Sequence, residues 1–150
     1  MAGETFVDTN VLIYSRDAAA GEKHRRAKAW MAHLWATRQG RLSYQVLQEF
    51  YVTVTEKLQP GLDHESARHD VRSFLAWRPV TVDGLVLEGA WSLQHRHRLS
   101  WWDSLIAAAA QVAGCAYLLT EDLQDDSVLG TVRVVNPFRV SPETIGRRRR

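Results

Sequence analysis

The chain has 150 residues, of which 45% are hydrophobic and 24% charged, the balance of one soluble globular domain. Its longest apolar run, residues 105–110, falls far short of the ~20 residues that cross a bilayer, and Met1-Ala2-Gly3-Glu4 lacks a basic segment followed by an apolar one, so neither a membrane span nor a signal peptide is expected. The net charge of +2 excludes a uniformly basic surface, and the single cysteine, Cys115, excludes an internal disulfide, which fits a reducing cytoplasm.

In chain order, Thr5-Phe6-Val7 reads as a buried strand ending at Asp8. Asp8, Thr9 or Asn10 can cap a helix through Val11, Leu12, Ile13 and Tyr14. Residues 22–38 are helical, with Ala27, Trp30, Met31, Leu34 and Trp35 on the 3.6 period and Gly40 as the stop. Residues 41–43 make a short second strand. Ser43 caps the next helix, whose apolar stripe is Val46, Leu47, Phe50, Tyr51, Val54 and Leu58, ended by Pro60-Gly61. Asp63 caps a helix buried through Ala67, Val71, Phe74 and Leu75. Residues 79–82 are expected as a strand, and Asp83 as the cap of a helix reaching about Arg98.

Ser100-Trp101-Trp102-Asp103 has capping-box spacing and opens an Ala-rich helix closed by Gly114. Residues 116–119 form a buried strand that delivers Thr120 and Asp122 at its carboxyl end, and residues 132–135 a last strand stopped by Asn136-Pro137. Strands that alternate with helices imply an α/β fold, a mainly parallel sheet of about five strands with helices on both faces.

Four acids stand out: Asp8, Glu49, Asp103 and Asp122. Each lies in an apolar stretch, where a charge is costly unless something uses it. In open α/β sheets ligands bind beyond the carboxyl ends of the strands, and strand ends and helix starts bring all four acids to that rim. At ~5 Å and an effective dielectric of about 20, each pair repels by roughly 3 kcal/mol, so a converged set calls for a cation. Taken singly, Asp8 reads as a cap, Asp103 as part of a capping box, Glu49 as a solvated side chain and Asp122 as a turn residue. Four such coincidences are less economical than one shared site. Basic residues gather at Lys23-His24-Arg25-Arg26-Ala27-Lys28, His95-Arg96-His97-Arg98 and Arg147-Arg148-Arg149-Arg150. An acidic centre flanked by such patches suits a polyanion, with hydrolysis of a phosphodiester as the expected chemistry. The histidine spacings, two apart for His95 and His97 and five apart for His64 and His69, are poor for zinc. Core packing is the favoured reading of Trp101 and Trp102, with stacking of one of them on a flipped or single-stranded base as the alternative.

Phe6-Val7-Asp8-Thr9-Asn10-Val11-Leu12, Ser43-Tyr44-Gln45-Val46-Leu47-Gln48-Glu49-Phe50, Trp102-Asp103-Ser104-Leu105-Ile106-Ala107-Ala108-Ala109-Ala110 and Leu119-Thr120-Glu121-Asp122-Leu123-Gln124-Asp125 resemble, in order and spacing, the four blocks of PIN-domain nucleases. More closely they resemble VapC-type toxins of bacterial toxin–antitoxin pairs. The resemblance covers about residues 5–138 and leaves 139–150 as a basic tail. It implies a PIN-like three-layer α/β/α sandwich and a Mg²⁺- or Mn²⁺-dependent endoribonuclease, commonly a homodimer neutralised by a small antitoxin.

On that reading Asp8 and Asp103 are the first metal ligands, with Asp122 and Glu49 holding a second ion or orienting the water. Thr9, Asn10 and Thr120 support the carboxylates or the scissile phosphate, and Arg96 and Arg98 contact RNA. Asp126 stands where relatives often have Gly, so the fourth acid lies between Asp122 and Asp126, with Asp122 favoured. An arginine of the antitoxin would pair with Asp8 or Asp103, and Trp30, Trp35, Phe50 and Tyr51 would offer a groove for its helix.

Two other readings are kept. A metal-dependent phosphatase of the haloacid-dehalogenase type wants an acid two residues after Asp8, where Asn10 stands; a receiver domain needs a late lysine, and none follows Lys57. The other is a non-catalytic RNA-binding protein that retains the fold.

Overall fold

The computed structural model describes residues 3–145. Strand β1 (Thr5–Val7) leads into helix α1 (Thr9–Arg16), and helix α2 (Glu22–Thr37) returns the chain to strand β2 (Gly40–Arg41). Helices α3 (Tyr44–Val52), α4 (His64–Phe74), α5 (Gly84–His97) and α6 (Trp101–Val112) follow, then β3 (Tyr117–Leu119), β4 (Val128–Leu129) and β5 (Val132–Val135). The sheet order is β2-β1-β3-β5-β4. Every neighbouring pair is parallel except β4 with β5. This is the α/β architecture with a five-stranded, mainly parallel sheet that the sequence pattern predicts.

The three central strands are buried on both faces, Arg133 of β5 excepted, as a covered parallel sheet requires. Phe6, Val7, Leu118, Leu119, Val134 and Val135 are all fully buried. Each is worth roughly 1.5–3 kcal/mol against exposure, which fixes the register of β1, β3 and β5 and so the height at which their carboxyl ends finish. Helix α6 is buried continuously from Ser104 to Ala110, and its small side chains let it lie close against its neighbours.

The helix caps are where local chemistry places them. Ser43 accepts from Val46 N, Asp63 from Ser66 N, Asp83 from Val86 N and Ser100 from Asp103 N. Several expectations are corrected. The stretch 79–82 is not a strand. Val80 alone bridges to Ser43, its N–H donating to Leu42 O at 2.9 Å and its carbonyl accepting from Tyr44 N at 3.0 Å. Pro79 has no N–H to extend the ladder, and Asp83 already begins α5.

The fifth strand is instead the short β4. Gly40 does not stop α2: Arg38 does, in the left-handed region at φ 57°. Gly40 begins β2 with its Cα against the Trp77 ring, where an added Cβ would collide. Leu75 is exposed, lying on the turn after α4. Trp30 is core, its Nε1 donating to Val140 O at 2.9 Å. No helix among the described residues is long and apolar enough to cross a membrane.

Candidate active site

Asp8 follows β1 and Thr120 follows β3, so these two side chains start from adjacent strand ends. The backbone N–H of Asp8 donates to Leu119 O at 3.0 Å, and that of Thr120 to Val135 O at 3.0 Å, which ties three strand ends into one rim. Asp8 is 7% exposed and Thr120 wholly buried. One Asp8 oxygen, Oδ1, accepts from Thr9 N at 2.7 Å; the other, Oδ2, accepts from the Thr120 hydroxyl at 2.9 Å. Asn10 spans outward from this pair. Its Nδ2 donates to Asp122 Oδ2 at 3.0 Å and to Thr120 Oγ1 at 3.1 Å, and lies 3.4 Å from Asp8 Oδ2. The Asp122 N–H donates to Thr120 Oγ1 at 3.1 Å, which sets the turn that carries its carboxylate.

Glu49 joins from α3. Thr9 Oγ1 is 3.5 Å from Glu49 Oε2, and Gln45, one helical turn earlier, donates Nε2 to Glu49 Oε1 at 2.9 Å. Asp8, Glu49 and Asp122 are therefore linked through Thr9, Asn10 and Thr120, the supporting residues expected from the sequence. Burial pushes the Asp8 carboxyl up to about 6, against the hydrogen bonds from Thr120 and Thr9, and the charges of Asp122 and Glu49 add to the rise.

Asp103 stands apart from this network. It lies in the first turn of α6 as the third residue of the Ser100-capped box, partly buried, with its N–H on Ser100 Oγ at 3.1 Å. Because α6 precedes β3 through a tight turn at Gly114, its N-terminus points to the carboxyl rim of the sheet. Among the described residues no three of the acids, histidines or cysteines are already gathered around one point. Hydroxyl and amide groups hold the carboxylates apart. The topology thus places Asp103 on the right rim without bringing it into the hydrogen-bonded set.

The neighbouring acids of the fourth block divide cleanly. Glu121 is turned away, accepting from Tyr14 Oη at 3.1 Å and Lys23 Nζ at 2.9 Å. Asp125 accepts from Asn136 N at 2.8 Å and pins the loop to the end of β5. Asp126 pairs with Arg133 at 3.0 Å and has φ 67°, the left-handed conformation that glycine adopts without cost. Hydrogen bonds join Asp122 to Asp8 through Asn10 and Thr120, in line with the preference for Asp122 as the fourth acid.

The basic runs also separate. In the first, Lys23 is bound to Glu121, and Arg25 and Arg26 both pair with Glu22, so most of that run is used within the protein. Arg96 and Arg98 are exposed at the end of α5, immediately before Ser100 and the start of α6. The run 147–150 lies outside the described residues. Sequence reasoning passed over Gln45, which its spacing four residues before Glu49 would have revealed, and it took Trp102 for core, whereas the side chain is 66% exposed.

The PIN domain family model matches residues 5–126. Among solved structures, a toxin–antitoxin complex from Klebsiella pneumoniae is similar with a TM-score of 0.62 at 21% identity, over 89% of this chain and 98% of that one. VapC20 of Mycobacterium tuberculosis, a sarcin-ricin loop cleaving toxin, has a TM-score of 0.57 at 23% identity, over 77% and 87% of the two chains. VapBC2 from Rickettsia felis, bound to a DNA fragment from its promoter, has a TM-score of 0.58 at 14% identity, over 88% and 97%. No curated protein matches the sequence significantly. These likenesses carry the fold, and the family match spans the strand, helix and loop that hold Asp8, Glu49, Asp103 and Asp122: the chain belongs to the PIN domain family.

Proposed function

We propose that the protein is a Mg²⁺- or Mn²⁺-dependent endoribonuclease and acts as the toxin of a toxin–antitoxin pair. The observation that carries this reading is the buried Asp8, wired to Asp122 and Glu49 at the carboxyl rim of the sheet with its carboxyl raised to about 6. The donor set fits a hard divalent ion. It consists of carboxylate and amide oxygens, and the buried Asn10 Oδ1 has no hydrogen-bond partner among the described residues. Asp8, Asp103 and Asp122 would hold the ion, with Glu49 completing the catalytic set. The ion would supply the positive charge that makes a water acidic and offsets charge growing on the phosphate.

The chain's own residues do the rest. Thr120 and Thr9 fix the Asp8 carboxylate by two hydrogen bonds to different oxygens, so its direction is set before substrate arrives. Asn10 fixes Asp122 in the same way. Glu49, more exposed and held by Gln45, would orient the attacking water or take its proton. Arg96 and Arg98, exposed beside the start of α6, would meet the RNA backbone.

The toxin reading is supported by the solved relatives, one of which is a toxin–antitoxin complex and another an RNA-loop-cleaving toxin. A hollow of about 490 Å³ between α1, α2, α3 and α4 is lined by Met31, Phe50, Phe74 and Trp35, with Lys28 and the Arg16–Asp70 ion pair at its edge. It would receive the apolar face of an antitoxin helix, with Lys28 open to an acidic residue beside it. Of the residues expected to form the groove, Trp35 and Phe50 line this hollow, Trp30 is core, and Tyr51 lines another. A homodimer in the cytoplasm completes the proposal.

The test is incubation of the purified protein with total RNA, with Mn²⁺ and with a chelator, alongside Asp8→Ala. Cleavage by wild type that needs the ion and Asp8 is expected. Induced expression should arrest growth, and co-expression of the adjacent small gene should relieve it. No cleavage by soluble wild type across divalent ions would refute the nuclease. Equal growth of wild type and Asp8→Ala would refute the toxin.

A further inference from the structure

We propose that the hollow between the start of α6 and the exposed side of α3 binds one unstacked base of single-stranded RNA, with Trp102 as the stacking surface and Gln48 as the group that meets the base edge. This rests on the ribonuclease reading and adds a specificity-determining subsite to it.

The hollow encloses about 550 Å³ and is lined by Gln45, Gln48, Glu49, Thr81, Val82 and Trp102. That volume accommodates a nucleobase and its sugar, within the usual range of small-ligand clefts. Glu49 reaches Thr9, next to Asp8, on one side and lines this hollow on the other, so a base held here sits beside the carboxylates.

Trp102 is 66% exposed for a geometric reason. Its partners one and two turns along α6, Ile106 and Ala109, are buried, so Trp102 continues their line past the edge of the packed layer. Its neighbour Trp101 is partly buried and stacks on Trp91, with ring centroids 6.3 Å apart and planes at 26°. One tryptophan therefore anchors the helix start and the other presents an open indole face.

The walls argue for a base rather than a protein side. Around the single indole they carry two amides, a hydroxyl and a carboxylate, with Val82 the one aliphatic member. Two amides beside an aromatic face are what a flat heterocycle with donors and acceptors on its edge requires. Gln45 is committed to Glu49, which leaves the exposed Gln48 as the edge contact. Arg96 and Arg98, exposed at the end of α5 just before the helix that carries Trp102, would meet phosphates farther along the strand, leaving the phosphate beside the carboxylates to the acidic centre.

The experiment measures binding, not turnover. Fluorescence anisotropy of 5′-labelled single-stranded oligoribonucleotides, one homopolymer of each base, is recorded in chelator for wild type, Trp102→Ala, Trp102→Phe and Gln48→Ala. Trp102→Ala should weaken binding by about 5- to 150-fold, the span of stacking on one aromatic ring, and Trp102→Phe should recover most of it. Gln48→Ala should change the ranking of the four bases. Circular dichroism of Trp102→Ala should match wild type, since the ring is exposed. Wild-type affinity in Trp102→Ala, with wild type binding RNA, would overturn the subsite and leave the nuclease standing. Loss of self-association by sedimentation in Trp102→Ala with RNA affinity intact would also overturn it, making this face a contact between copies. Wild type that neither binds nor cleaves RNA would overturn both readings.

Discussion

The Asp8 side and the Asp103 side of the rim are built in opposite ways. Asp8 is buried, accepts from Thr9 and Thr120, and is coupled through Asn10 to Asp122. Asp103 is held only by its place in a helix cap, beside an exposed tryptophan and two exposed arginines. A carboxylate that must stay ionised while buried needs prearranged donors, because the protein bears its desolvation before any ligand arrives. One at a helix start is already favoured by the dipole and needs no such frame. On the proposed metal-site reading, the difference teaches that the site would be half preformed and half open, to be completed by cation and substrate.

The sharpest way to break the comparison is to neutralise each side. Asp8→Asn should lower RNA cleavage by about 10³-fold or more, a loss of several kcal/mol of charge stabilisation. It should also stabilise the metal-free protein at pH 8, since the ionised carboxyl is raised from 3.8 to about 6 there, which corresponds to about 3 kcal/mol. Asp103→Asn should lose cleavage comparably yet leave metal-free stability within about 1 kcal/mol, the size of one helix-dipole interaction. Thermal melts beside a labelled-RNA assay read both quantities. Equal stabilisation by the two substitutions would erase the distinction.

The same asymmetry sets a pH dependence. Asp8 binds a proton more tightly folded than unfolded, so the metal-free fold is most favoured below about pH 4 as far as this group is concerned. That advantage is lost as pH rises through about 6, by up to about 3 kcal/mol. Urea midpoints of wild type minus Asp8→Asn, taken from pH 4 to 8, should fall between about pH 4 and 6 and level off above that. A flat difference would show that Asp8 carries no buried charge.

How much of this could be read in the sequence follows from range. Local signals were legible: Ser43, Asp63, Asp83 and Ser100 each cap the helix that begins beside them, and Asp8 ends the apolar triplet Thr5-Phe6-Val7. Sheet edges were not. Residues 79–82 look like a strand by composition, but only Val80 finds a partner, while the two-residue β4 is too short to leave a pattern and exists because β5 offers it an edge. At the site, chain order pointed to four acids on one rim and favoured Asp122 in the fourth block, the one that Asn10 and Thr120 hold toward Asp8; what holds its neighbours was not legible. Glu121, Asp125 and Asp126 are drawn to Lys23, the Asn136 backbone and Arg133, partners far along the chain whose approach only folding decides. Trp102 misled because a tryptophan in an apolar helix usually packs; here it lies one turn beyond the layer that would cover it.

Smaller effects sharpen the same comparison. Thr120→Val removes a donor to Asp8 and an acceptor for the Asp122 N–H while keeping the buried shape. It should cost about 1–3 kcal/mol in stability and lower cleavage without abolishing it, since Thr9 still holds the other oxygen. Chemical denaturation and single-turnover cleavage check the two parts. Smallest of all, Arg98→Ala on the open side should leave stability unchanged and reduce the dependence of RNA affinity on salt by about one unit of log–log slope. An unchanged slope would remove Arg98 from the RNA path.

The central claim is that both sides serve one cation, and calorimetric titration of Mn²⁺ into wild type, Asp8→Asn and Asp103→Asn near pH 6 tests it most directly. The account predicts binding to wild type with release of protons, because a partly protonated Asp8 must ionise. It predicts at least tenfold weaker binding in each variant. Asp103→Asn taking up Mn²⁺ as tightly as wild type would contradict it, leaving Asp103 a helix-cap residue and the Asp8 network the whole of the metal site.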